Sequence, residues 1–159
     1  MQPTLNSPEQ QDSTLSCLLI PVLGSRLVLP NVTVAEVSPY QPPIPVEDAA
    51  KWLKGTVEWR GTMIPVLAYE ELVGGTLSSY SQDARIVVVN APSGSDRMRF
   101  FGLIAQGIPS QVKLEEAAIK ENPNHKLIKG QAMAVTVETG HGVIPDLDII
   151  EAELLNQNW

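Results

Sequence analysis

Apolar and polar positions alternate over short distances along this chain, and each run ends at glycine or proline. The stretch "LSCLLIPVLGSRLVLPNVTVAEV", from Leu15 to Val37, reads as extended segments around Gly24-Ser25, rich in Leu and Val and broken by prolines that a helix would not accept. The pattern predicts a hairpin and then a third strand or turn with Glu36 at its end. The four prolines before Glu47 in "SPYQPPIPVEDAAKWLKG" force a loop, and a short helix is expected from Val46 to Leu53. "TVEWRGTMIPVLAY" supplies two more strand-like runs that meet at Arg60-Gly61, where glycine permits a tight turn or bulge.

After the Gly/Ser-rich stretch Val73 to Asp83, expected to be a loop or linker between lobes, the order repeats. "ARIVVVN" is a strand, "APSGSD" a polar turn, and "RMRFFGLIAQGI" a further strand pair candidate. A strand end and a charged, irregular connection follow, through His125. The final stretch reads as a hairpin around Gly140-His141-Gly142 and a C-terminal helix from Pro145 or Asp146. Asp146 is its cap, and Asp148 and Glu151 suit its positive end. Many short strands with one or two short helices make the chain mostly β, a small-barrel or sandwich architecture. Two similar halves favour two lobes over a single closed barrel.

Composition narrows the picture. Residues 1–14 are rich in Gln, Ser, Pro and Asn, offer little to bury and read as a disordered tail, which leaves residues 15–159 as the folded domain. The net charge of −7 and the scatter of the basic residues argue against a nucleic-acid partner, whose phosphates need clustered lysines and arginines. Cys17 is the sole cysteine, so no internal disulfide forms and a multi-cysteine metal site is excluded. The apolar run "CLLIPVL" is broken by proline and too short to span a bilayer. These features predict a cytoplasmic protein without membrane insertion.

The inventory for chemistry is poor. His125 and His141 lie in polar, turn-rich contexts without metal-ligand spacing, and no nucleophile elbow or phosphate loop is present. Cys17 sits in an apolar run that suits a buried, inert thiol. The adjacent pairs Glu70-Glu71 and Glu115-Glu116 point in different directions on any regular element and read as solvated surface. No catalytic, metal or cofactor residues emerge, and an enzyme is not expected. Arg60 stands out, because a turn between two apolar strands holds its guanidinium at a defined place, where a planar donor fork can meet a carboxylate or carbonyl of another protein. A local pairing with an acid such as Glu58 is the plainer alternative.

The segment "KGTVEWRGTMIPVLAY", with Lys54, Gly55, Arg60, Gly61, Pro65 and Val66, resembles the central motif of the CheW-like adaptor domains of bacterial chemosensory systems. The likeness extends from about Leu15 to Leu155, and within the family the chain is most similar to the ChpC-type accessory proteins of twitching and type IV pilus signalling. It departs from the family at Ala68 and Tyr69, where an acid and a leucine are usual, and at Gln106, where an acid is usual. The resemblance implies two five-stranded, SH3-like barrel lobes sharing a core. It also implies a non-enzymatic adaptor that joins a chemoreceptor cytoplasmic tip to the regulatory domain of a CheA-type histidine kinase. Carried over by position, Val34, Glu36, Arg60 and Gly61 become the protein-binding residues. Val34 supplies an apolar contact or core packing; Glu36 with Arg60 forms a polar frame, or an internal ion pair. An oligonucleotide-binding small barrel is the competing reading, disfavoured by charge and by the lack of an aromatic run on any strand. A small hydrolase or transferase ranks last.

Overall fold

The computed structural model describes residues 14–77, 79–115, 120–121, 127–137 and 140–159. The expected tail, apart from Thr14, lies outside them, as do His125 and much of the charged connection after Glu115. The strands are β1 (Thr14–Val22), β2 (Ser25–Pro30), β3 (Val34–Pro39), β4 (Leu53–Trp59), β5 (Thr62–Leu67), β6 (Arg85–Ser95), β7 (Met98–Ala105), β8 (Ser110–Glu115), β9 (Lys120–Glu121), β10 (Gln131–Val137) and β11 (Gly140–Pro145). A one-turn helix α1 (Tyr69–Leu72) follows β5, and helix α2 (Leu147–Leu155) follows β11. The strands form two sheets, ordered β8-β1-β2-β11-β10-β9 and β3-β6-β7-β5-β4. The expected pair of five-stranded lobes is present, with the two-residue β9 added at one edge.

The repeat read from the sequence is real, but its halves are not the lobes. Each half runs hairpin, single strand, hairpin: β1-β2, β3, β4-β5 and then β6-β7, β8, β10-β11. The single strand and second hairpin of each half join the first hairpin of the other. β3 pairs with β6 and β5 with β7, while β8 pairs with β1 and β11 with β2. The loop that follows α1 therefore connects elements of one sheet and is not a linker between lobes. Periodicity marks a strand but carries no record of a partner far along the chain, which is why the exchange is invisible in the sequence.

Three apolar clusters explain the continuous Leu/Val/Ile runs. Cys17, Leu19, Val28, Leu114 and Val135 fill the six-stranded lobe, and Val57, Ile64, Val66, Ile86, Val88 and Ile104 fill the five-stranded one. Between them lies a shared core that includes Leu18, Ile20, Leu27, Leu29, Val87, Val89, Phe101 and Leu103. Alternate residues of β1, β2, β6 and β7 thus face a lobe interior and the shared core in turn. With both faces buried, polar alternation disappears.

Several local expectations change. The helix expected from Val46 to Leu53 is a set of turns, with Asp48 at φ 58, and Leu53 instead opens β4 opposite Leu67. Glu36 sits inside β3 rather than at its end. Gly140, His141 and Gly142 belong to β11, paired with β10, because the ladder that places Val143 in the shared core runs on to Gly140. The C-terminal helix is as expected, and the Asp146 carboxylate accepts a hydrogen bond from the Ile149 amide at 3.1 Å.

Glu70 and Glu71 are not solvated. Both are buried on α1, and their divergent directions send them to different partners. Glu70 Oε2 accepts from the Leu23 amide at 2.9 Å, while Glu71 Oε1 meets Lys54 Nζ at 2.6 Å and Oε2 lies 3.3 Å from Lys51 Nζ. Tyr69 donates its hydroxyl to the Gly130 carbonyl at 3.1 Å. One helical turn therefore ties the five-stranded lobe to two turns of the six-stranded lobe.

Candidate protein-docking site

Arg60 and Gly61 are the two central residues of the β4-β5 hairpin, with Trp59 paired to Thr62 across the turn. Both have positive φ, 47° and 78°, the geometry of a type I′ turn whose twist matches the flanking strands. Glycine adopts it freely; arginine does so against the contact of its Cβ with the backbone. The chain therefore holds a charged residue where Asn or Gly would be less strained.

The arginine reaches across a seam. β3 and β4 lie at opposite edges of the five-stranded sheet, yet Arg60 Nη2 is 2.7 Å from Glu36 Oε1. The sheet must be rolled for this to occur, and two further contacts close it. Ile44, on the segment after β3, exchanges backbone hydrogen bonds of 2.8 and 2.9 Å with Thr56, and Gln41 Nε2 donates to the Glu58 carbonyl at 3.3 Å. Gly55 makes that closure possible: it has φ 142°, and a Cβ there would stand 2.2 Å from the Ile44 carbonyl oxygen.

Glu36 Oε2 is also occupied, by the Trp59 indole N–H at 3.2 Å. The same indole lies beneath the guanidinium, with Arg60 Cζ 5.0 Å from its centroid, and it also packs on Phe100, tilted by 59° at 4.8 Å between centroids. The hydrogen bonds from Arg60 and then from Trp59 hold the Glu36 carboxyl below the ordinary carboxylate range. Among the described residues, Glu36 is the only protein acceptor the Arg60 guanidinium meets, and the Arg60 side chain is 69% exposed. The site therefore offers a fixed, outward set of donors.

Of the four residues singled out in the sequence, the structure brings Glu36, Arg60 and Gly61 together and leaves Val34 apart. A bulge between Val34 and Glu36 reverses the side each faces. Val34 pairs with Val89 and packs, half-buried, on the shared core, whereas Glu36 pairs with Val88 on the lobe-interior side. Trp59 was missed, although its place directly before the arginine was a usable signal. The departures at 68, 69 and 106 are absorbed inside the molecule. Ala68 and Tyr69 are buried, and the Gln106 side-chain oxygen accepts from the Ser81 amide at 3.3 Å. Burial pushes the Cys17 thiol up, in keeping with an inert role.

The family model described as the CheW-like domain matches residues 16–152. The chain belongs to the CheW-like domain family. Among solved structures, a crystal structure of the scaffolding protein TtCheW from Thermoanaerobacter tengcongensis is similar with a TM-score of 0.71 at 18% identity, over 83% of this chain and 88% of that one. At that identity the likeness is one of fold. The comparison with curated proteins found no matching relative. Among the described residues no helix is long and apolar enough to cross a membrane. In this CheW-like chain five of the six landmarks of the central motif have a mechanical reason: Lys54 pairs with Glu71, Gly55 admits the closing segment at Ile44, Arg60-Gly61 makes the turn, and Val66 fills the lobe.

Proposed function

We propose that this CheW-like protein is a non-enzymatic adaptor that couples the cytoplasmic tip of a chemoreceptor to the regulatory domain of a CheA-type histidine kinase, in a pathway of the kind that controls type IV pilus motility. Family membership supports the scaffold role. The observation that carries the docking reading is Arg60 itself, a strained turn residue whose guanidinium is braced from one side and open on the other. Strain retained at an exposed position, when a less strained residue is available, points to a use for the side chain.

In this reading Arg60 offers its free N–H groups to a carboxylate or to carbonyls of the receptor's helical hairpin, with Glu36 fixing its bearing and Gly61 allowing close approach. Val34 contributes through the shared core beneath β3 rather than as a contact. Titration of the purified protein with a receptor-tip fragment and, separately, with a kinase regulatory domain tests the proposal. Saturable binding of both is expected. A folded protein that binds neither across several salt concentrations overturns it, and a salt-dependent response to single-stranded oligonucleotide instead would favour a nucleic-acid role.

A further inference from the structure

We propose that Trp59 is the positioning residue of this site, its indole N–H and ring face jointly holding the Glu36 carboxylate and the Arg60 guanidinium in the orientation a partner meets. The inference rests on the docking reading above and adds to it the element that makes the arginine a preset contact.

The type I′ turn fixes only the direction in which the Arg60 side chain leaves the backbone; its own torsions remain free. The ion pair alone is a weak restraint, because the two side chains are 69% and 34% exposed and exposed pairs of long side chains hold little. A carboxylate gripped through one oxygen can also swing about its terminal torsion. The Trp59 indole removes both freedoms. Its N–H takes Glu36 Oε2, so the carboxylate plane is set and Oε1 faces Arg60. Its ring gives the guanidinium a flat bed that favours a stacked cation.

The indole is itself anchored. Trp59 closes the β4-β5 ladder opposite Thr62, and its ring packs against Phe100 at the edge of the five-stranded lobe's core. The order of support runs from core to Phe100, to Trp59, to the Glu36 and Arg60 pair. Only a residue with a flat face and an N–H donor performs both tasks. Phenylalanine keeps the bed and loses the donor; leucine loses both.

The test uses the full chain with Trp59→Phe and Trp59→Leu. In the free protein, side-chain carboxyl NMR follows the Glu36 titration, and Trp59→Phe is expected to move its midpoint upward through loss of the second donor. Affinity for the receptor-tip fragment is expected to fall about threefold for Trp59→Phe and about tenfold for Trp59→Leu, as for loss of one hydrogen bond and then of the stacking face. Melting of Trp59→Phe should stay close to that of the parent. In an Arg60→Ala background, Trp59→Phe should cost nothing further, since the residue acts through the arginine. An unmoved Glu36 midpoint in Trp59→Phe overturns the positioning role, as does an additive cycle. If the parent binds no receptor fragment, the docking reading fails by itself and the titration still decides the role of Trp59.

Discussion

Arg60 carries a left-handed backbone that costs a residue with a Cβ about 1–2 kcal/mol. Arg60→Gly removes that cost and also loosens the unfolded chain, so stability should stay level or rise by up to about 1 kcal/mol, read by thermal melting. Receptor-fragment binding should fall in the same variant. A protein that binds normally without its arginine would show the strain to be incidental. Glu36 gives a second expectation. Its carboxyl titrates below the ordinary glutamate value of about 4.3, so the pair favours the folded state above that pH and its contribution fades as pH falls through the lowered folded value. Arg60→Ala should lift the Glu36 midpoint, measured by carboxyl NMR. Arg60 and Gly61 were legible because a charged residue before glycine between apolar runs has few structural uses, whereas Glu36 entered only through the family resemblance. Trp59 was overlooked, because an aromatic residue at a strand end usually means core, even though it stands directly before the arginine.

The one-turn helix α1 shows how little an element's length says about its importance. Its three consecutive residues Tyr69, Glu70 and Glu71 each bond a different part of the fold. Removing the Glu71 carboxylate would leave the Lys54 ammonium, whose side chain is 24% exposed, without its close partner; Glu71→Ala should cost about 1–3 kcal/mol in urea unfolding. Glu70→Gln should cost less than about 1 kcal/mol, because an amide oxygen can still accept from Leu23 and a buried oxygen without a partner among the described residues, Oε1, loses its charge. Reversal of that order would refute the division of labour. Strands bounded by glycine or proline were readable from their own residues, as was the capped helix α2. A single turn of helix lacks the length for any periodicity, and the acids at 70 and 71 looked like surface because their partners lie elsewhere in the chain: the Leu23 amide for Glu70, and Lys51 and Lys54, on the far side of a hairpin, for Glu71.

At the scale of the molecule, the shared core joins the lobes into one unit, so heat or denaturant should unfold the chain in a single transition, with calorimetric and van't Hoff enthalpies in agreement. All three tyrosines have raised phenol pKa values: burial acts on each, and Tyr80 is pushed up to about 12 with help from Tyr40, Glu71 and Glu70. The folded state thus favours neutral phenols; this stability is complete below the unfolded value of about 10 and is lost as pH rises through the folded values. Phenolate absorbance should accordingly appear late in an alkaline titration, together with loss of native circular dichroism. Two lobes of short strands could be foreseen from composition and punctuation, but their membership could not, since each lobe is completed by strands from the other half of the chain. That exchange has a consequence for biosynthesis. The ribosome delivers the whole of the five-stranded unit, β3 to β7, in one uninterrupted passage, whereas β1 and β2 leave it first and must wait, the border of β1 bare until β8 has emerged and that of β2 until β11 has followed. The lobe begun earliest is finished last.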